Sequence, residues 1–253
     1  MPDALVHYRQ SGRVAVITMD DGKRNALSPA MFAQIYAALE RAERAGLAVV
    51  LTGRAQVFSA GFDLKVMRKG GADALRMLGA GYSLPERLLS FPRPVVAASA
   101  GHAFAMGTFM LLSCDYSLGV PGDYVYSANE VAIGLTVPRV AAEVLKLRLT
   151  PSAFQRAAVL AEKFTPQAAL AAGFIDELAP ADALLERAQS LAEELMNLDM
   201  KAHLATKLRV RAQALQAMRG HVRADLASAA MRGVKQLLGA RGANPSASGS
   251  SAA

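Results

Sequence analysis

Among 253 residues there is one cysteine, Cys114. A lone thiol forms no disulfide within its own chain, and this one lies in the apolar run "FMLLSCD", so it reads as a small buried side chain rather than a nucleophile. Histidine is scarce as well. The four at positions 7, 102, 203 and 221 stand far apart, without the paired spacing that builds a zinc site, so no metal is expected and His102 reads as structural or pocket-lining. No G-x-S-x-G elbow is present for a serine hydrolase, no phosphate-binding loop with its lysine, and no G-x-G-x-x-G after the first strand. Those absences remove most support for the common hydrolase and nucleotide-dependent chemistries. No apolar stretch approaches the roughly eighteen residues needed to cross a bilayer, and "MPDALVHYRQ" lacks the basic and apolar regions of a secretory signal. The expectation is a soluble, cytoplasmic protein with no membrane partner.

What is present is a globular composition, 53% hydrophobic and 19% charged, in a chain long enough to bury a core without a covalent or metal staple. The net charge of +7 raises the question of a polyanionic partner. Much of it sits late, at Lys201, Lys207, Arg209, Arg211, Arg219, Arg223, Arg232, Lys235 and Arg241, without interleaved aromatics. That pattern reads as solvated helix faces rather than a nucleic-acid surface, and it stays compatible with a phosphate-bearing ligand.

Along the chain, "LVHYRQSGRVAVITMD" alternates as two strands joined at Ser11 and Gly12. Ser28 and Pro29 then mark a helix start, followed by Met31, Phe32, Ile35 and Leu39 at helical spacing up to Gly46. The segments "LAVVLTG", "RPVVAASAG" and "DYSLGV" read as buried strands of a parallel-leaning α/β fold. Beyond Pro138 helical signals dominate, with starts at Thr150-Pro151 and Thr165-Pro166 and a stop at Gly173. The end, "GARGANPSASGSSAA", cannot bury a core and reads as a flexible tail.

Three segments carry chemical interest. In "LTGRAQVFSAGFDLK" a buried strand ends in small residues, Ser59, Ala60 and Gly61, that let another molecule approach the backbone. In "AGHAFAMGTFMLLSCD" a loop enters an apolar helix near Gly107, where unpaired N–H groups suit an anion. In "ANEVAIGLTVP" one carboxylate, Glu130, heads an apolar run. Taken singly, either of the first two is more often packing than chemistry, and the acid is as readily a solvated or capping group as a functional one.

Together, "NAL" after the first hairpin, "LTG…FSAGFDL", "RPVVAASAGHAFAMG…CD" and "NEVAIGLTVP" resemble the crotonase, or enoyl-CoA hydratase/isomerase, superfamily. The resemblance runs over roughly residues 10 to 180 and more loosely through the helical end. It implies an α/β spiral of strand-strand-helix units over residues 1–190, a helical C-terminal region at 191–240 used in trimerisation, and the tail at 241–253. It further implies an acyl-CoA thioester as substrate, with no cofactor beyond the coenzyme A the substrate carries, and a homotrimer or dimer of trimers. By register, the two backbone N–H groups that hold the thioester oxygen belong to Phe62 and to Met106, the latter where members usually carry glycine. Ser59, Ala60, Gly61, Phe62, Asp63 and Leu64 would line the adenine and pantetheine path, flanked by Arg24, Ala26 and Leu27. Met106, Gly107, Phe109 and Asn129 would complete the binding site.

The resemblance also places the acids. Phe109 occupies the position of the first catalytic glutamate of the hydratases, and Glu130 matches the second. One base suffices to move a proton from C2 to C4 of a single ligand, whereas adding water is best served by two acid-base groups. The motifs lie nearer the 3,2-trans-enoyl-CoA isomerases, so an isomerase is expected, with Glu130 partly desolvated by Val131, Ala132 and Ile133. A hydratase using Glu130 with Asp63 or a bound water is the alternative, Asp63 itself reading better as structural. A catalytically silent acyl-CoA-binding protein is the third reading.

Overall fold

The computed structural model of the protein describes residues 4–242. Strands β1 (Val6–Ser11) and β2 (Val14–Met19) form the antiparallel hairpin, with Val6 opposite Met19 and Ser11 opposite Val14. Short β3 (Ala26–Leu27) leads to α1 (Pro29–Arg44), which opens where Ser28 Oγ accepts the Met31 N–H at 3.2 Å. The expected stripe of Met31, Phe32, Ile35 and Leu39 is the buried face of α1. Next come β4 (Ala48–Thr52), β5 (Gln56–Ser59), β6 (Gly61–Phe62), α2 (Leu64–Lys69) and α3 (Gly71–Leu89). The pattern then repeats with β7 (Val95–Ser99), β8 (Gly101–Phe104) and α4 (Met106–Leu112), and a third time with β9 (Tyr116–Gly119) and β10 (Tyr126–Ser127).

The first strand of each repeat joins one sheet and the second joins another. The main sheet has the order β1-β2-β4-β7-β9, completed by β11 (Glu177–Leu178), and every pairing after the first hairpin is parallel. Its inner strands are buried on both faces, which is why β4 and β7 read as unbroken apolar runs instead of alternating. The smaller sheet, ordered β10-β8-β5, is parallel throughout, and β3 pairs with β6 beside it. This recurrence is the strand-strand-helix spiral expected of the fold.

After a single 3-10 turn at Val131–Ile133 the chain is largely helical: α5 (Arg139–Arg148), α6 (Pro151–Leu160), α7 (Pro166–Ala172), α8 (Leu184–Leu195), α9 (Met200–Val210) and α10 (Ala212–Gly242). Thr150 and Thr165 cap α6 and α7 through their hydroxyls, and Gly173 ends α7 with φ +96°. Residue 190, where the core was expected to end, lies inside α8, whose Leu184, Ala188, Leu191 and Ala192 bury against the main sheet. Most of the expected tail, residues 243–253, is outside the described residues. Cys114 is buried as expected, and burial pushes its thiol up to about 12. Among the described residues no helix is long and apolar enough to cross a membrane.

Two of the late basic residues differ from the expectation of solvated faces. Lys207 is buried, with Nζ 2.7 Å from Asp115 Oδ2, and Arg211 Nη1 lies 2.8 Å from Asp115 Oδ1. Their cations neutralise an acid at the base of the sheet, a role no local pattern announces.

Candidate active site

The site is built where the ends of β3, β5, β6 and β8 meet. Asn25 stands at φ +50° and is fully buried, its Nδ2 donating to Met19 O at 2.9 Å and Phe58 O at 3.1 Å. Asp21 gathers the N–H groups of Lys23, Asn25 and Ala26 at 2.7 to 2.9 Å. Burial raises the Asp21 carboxyl, but bonds from the Ala26, Asn25 and Lys23 amides outweigh it and hold the group below its usual value. The loop that presents Lys23 and Arg24 is therefore fixed by the Asp21 carboxylate and the Asn25 side chain.

Gly61, at φ +85°, is the point of closest approach. A Cβ there would lie 3.0 Å from both Ala105 Cβ and Phe104 O, and 3.3 Å from the Met106 nitrogen. Glycine alone allows the two backbones this near. Asp63 N donates to Leu27 O at 3.2 Å, and since the bonded amides of a strand alternate, that of Phe62 is directed away from β3. Across from it, Ala105 is held at φ +48°, ψ −125°, and α4 begins at Met106, one residue before the expected start. Gly107 lets α4 dock on β5, since a Cβ there would meet Ser59 O at 2.6 Å.

Glu130 follows β10, whose Ser127 O accepts the Ala105 N–H at 3.0 Å and so ties this segment to the start of α4. The residue is 6% exposed, and its Oε2 has no hydrogen-bond partner. Burial pushes its carboxyl up to about 7, opposed only by its own backbone N–H. The source of that burial is not the expected one. Val131 and Ile133 are 45% and 51% exposed, because the 3-10 turn sends them outward while Glu130 points in. The Glu130 carbonyl closes the loop by accepting the N–H groups of Ile133 and Leu135. Asn129 Oδ1 is also buried without a partner, and Phe109 is 2% exposed within the core.

A cleft of about 830 Å³ opens beside these elements, with Lys23, Arg24, Arg54, Ala60, His102 and Phe104 among its walls. Two of its lining residues, Ala60 and Phe104, directly precede Gly61 and Ala105, while Glu130 itself is not a wall residue. Arg54 is engaged with Asp20 at 3.5 Å and with Lys23 O at 3.1 Å, whereas the Lys23 and Arg24 side chains make no ion pair among the described residues. His102 accepts the Val125 N–H at Nδ1 and stacks on Phe104, pocket-lining as expected.

Residues 9–231 match the family described as Enoyl-CoA hydratase/isomerase. The chain belongs to this family. A solved enoyl-CoA isomerase of Mycobacterium tuberculosis is 48% identical with a TM-score of 0.84, the match covering 88% of this chain and 98% of that one. A solved enoyl-CoA hydratase of Mycobacterium marinum is also 48% identical, with a TM-score of 0.85 and coverage of 88% and 99%. The 2,3-dehydroadipyl-CoA hydratase of Escherichia coli is 29% identical over 220 residues, 85% of this chain and 82% of that protein. Both reactions thus occur among the names of its relatives.

Within this enoyl-CoA hydratase/isomerase family member, the expected site residues differ in where they stand. Arg24 and Ala60 line the cleft. Leu27, Gly61, Met106, Gly107 and Phe109 are buried and not among its walls, and Ala26, Phe62 and Asn129 are half-buried. Two of the expected contacts have side chains engaged within the protein. The Ser59 hydroxyl is buried and fully used, donating to Asn25 O at 2.7 Å and accepting the Gly61 N–H at 3.1 Å. Asp63 caps α2, its Oδ1 accepting the N–H groups of Lys65 and Val66, in keeping with a structural role. Leu64 is exposed on the first turn of α2. Sequence reasoning missed Lys23 and Arg54 as cleft walls, although the adjacent cations in "DGKRNAL" were a signal for the first.

Proposed function

We propose that this protein is an enoyl-CoA isomerase that moves a double bond from the 3- to the 2-position of an acyl-CoA thioester. The observation that carries the reading is Glu130. Among the described residues it is the one buried acid with an unbonded carboxylate oxygen, since buried Asp225 is engaged by Arg139 and by the Val140 N–H. A desolvated carboxyl titrating near 7 is a stronger base than an exposed one and is ionised over much of the neutral range.

In this reading the cations of Lys23 and Arg24 receive the coenzyme's phosphates, and the thioester passes Ala60 and Phe104 to reach the amides of Phe62 and Met106. Removing the C2 proton places negative charge on the thioester oxygen. Two N–H donors aimed at that oxygen stabilise the enolate, and losing one such donor typically lowers the rate by on the order of 10² to 10³. Glu130 takes the proton from C2 and, as the neutral acid, returns it at C4, leaving the double bond conjugated with the carbonyl. Atoms balance within one ligand, so no water and no second acid enter.

Hydration needs groups that this site lacks in the expected places. By the resemblance Phe109, buried here, stands where a hydratase's first glutamate would act, and Asp63 Oδ1 caps α2. The names of the relatives favour neither reading: the Mycobacterium tuberculosis protein is called an isomerase in one solved structure and a probable enoyl-CoA hydratase in another, and the Mycobacterium marinum protein is called a hydratase. Supplying a 3-enoyl-CoA and, separately, crotonyl-CoA decides between them. Turnover of the first with little water addition to the second is expected, and Glu130→Gln should lower isomerisation by about 10² to 10⁴. Hydration of crotonyl-CoA without isomerisation of the 3-enoyl thioester would make the protein a hydratase, and binding without turnover of either would make it an acyl-CoA-binding protein.

A further inference from the structure

Gly81 lies in α3, nineteen positions beyond Phe62, and belongs to none of the motifs that mark the site. Its backbone is ordinary helix, so it has no conformational reason to be glycine, and glycine within a helix is less favourable than alanine. Space is the reason. A Cβ on Gly81 would lie 2.3 Å from Phe62 Cε1, 2.4 Å from Phe62 Cζ and 3.1 Å from Phe32 Cζ. The nearby Gly79 makes the contrast, since a Cβ there would only touch Leu226 at ordinary distance.

The Phe62 ring therefore sits in a notch cut into α3. It is walled by Phe32 on α1, with ring centroids 5.9 Å apart, and by Tyr82, edge-on at 5.9 Å. A methyl group in the notch and the ring cannot both stand where they are, so the ring must shift, and Phe32 and Tyr82 on its flanks turn that shift toward its own backbone. On the backbone side Phe62 is hemmed by Gly61, packed against Ala105 and Met106, and by Asp63, which caps α2. A displacement of the ring is thus delivered to the Phe62 amide.

We propose that Gly81 is a positioning residue for catalysis: by accepting the Phe62 ring, the notch in α3 sets the direction of the Phe62 N–H toward the thioester oxygen. This rests on the reading of Phe62 as an oxyanion donor. It makes α3 part of the catalytic machinery although α3 contributes no group that touches the reacting atoms.

The test combines Gly81→Ala with Phe62→Leu, which removes the ring atoms that the new methyl meets. Gly81→Ala should lower kcat about tenfold or more, a partial loss of one donor, with KM for the acyl-CoA changed less than threefold. The double variant should return to the kcat of Phe62→Leu alone, which traces the loss to contact with the Phe62 ring, while the small change in KM separates it from a general loss of fold. Difference Raman spectra of bound crotonyl-CoA supply a second readout that needs no turnover. Donation from the two amides moves the thioester carbonyl band to lower frequency on binding. Gly81→Ala should reverse part of that shift, and the double variant should restore it to the position found with Phe62→Leu.

If wild-type protein leaves the carbonyl band where it is in free crotonyl-CoA, the oxyanion reading itself fails and this proposal with it. If the band shifts equally in wild type and Gly81→Ala, or if kcat falls less than twofold, only the role of Gly81 is overturned. Should Gly81→Ala alone fail to fold, the double variant still decides: less than a third of the kcat of Phe62→Leu overturns the proposal, and parity upholds it.

Discussion

Glu130 combines a buried charge with an unfilled hydrogen-bond position, and both properties have consequences that depend on pH. As the base it must be ionised, so kcat/KM for a 3-enoyl-CoA should climb from acid pH, reach half its limit near 7 and level off above. The stability effect runs the other way. In the unfolded chain the carboxyl titrates near 4.5, so between there and about 7 the folded protein binds the extra proton and loses stability as pH rises through that window. The full difference is about 3 kcal/mol. Glu130→Gln, which never ionises, should therefore melt several degrees above wild type at pH 8 and at nearly the same temperature near pH 4.5, while losing turnover. A variant that melts lower at pH 8 would show that the carboxylate is stabilised by something in the fold. Arg24 offers a second residue-scale test. Arg24→Ala should raise KM roughly tenfold for a CoA thioester, about the worth of one charge-assisted contact, and leave kcat near wild type. The same acyl group on pantetheine, without the phosphates, should show no such rise, and an equal rise on both would remove Arg24 from phosphate recognition. Glu130 and Gly61 were legible because each is fixed by short-range spacing within a motif. The source of Glu130's burial was not, because Val131 and Ile133 belong to a 3-10 turn whose outward face has no signature in apolar content.

At the scale of elements, the capped helices were the easiest to read. Ser28-Pro29, Thr150-Pro151 and Thr165-Pro166 each place a hydroxyl and a preset φ at the first turn, and all three hydroxyls accept the expected backbone N–H. The docking of α9 and α10 was opaque, because its centre, Asp115, lies 92 residues from Lys207. One carboxylate there accepts the Val95 N–H and pairs with Lys207 and Arg211, while Lys207 also reaches Arg93 O and Arg211 reaches Leu89 O. Burial lowers the pKa of Lys207, and the adjacent Asp115 carboxylate offsets part of that. Removing the acid leaves two cations side by side and a backbone donor unpaired. Asp115→Ala should cost about 3 to 5 kcal/mol, read from urea unfolding, whereas Lys207→Met keeps the Arg211–Asp115 pair and should cost clearly less. Equal losses would mean that the helices are held by packing and not by this charge cluster.

For the whole molecule, the alternation of strands between two sheets was legible only in outline, since a periodicity of apolar residues tells that a strand is buried but not which sheet receives it. What the single chain leaves uncovered is equally a property of the whole. Val131, Ile133 and Leu135 on the loop after Glu130 are exposed, and α6, which packs beside that turn, ends in Val159 and Leu160 at 58% and 70% exposure. Soluble monomers rarely leave apolar side chains gathered in this way. Copies of the chain covering one another there would also shield the loop that carries Glu130, which links assembly to a dry active site. Analytical ultracentrifugation should accordingly give three times the 26.6 kDa chain mass, the trimer that the family resemblance implies. Leu160→Asp, a change at the outer end of α6 that touches no site residue, should shift the protein toward single chains without altering its circular dichroism. Because a dissociated chain exposes the Glu130 loop to water, turnover should fall together with the mass as the variant is diluted, and dilution of wild type should reproduce this only at far lower concentration. A wild-type mass of one chain with undiminished turnover would separate the apolar face from both assembly and catalysis.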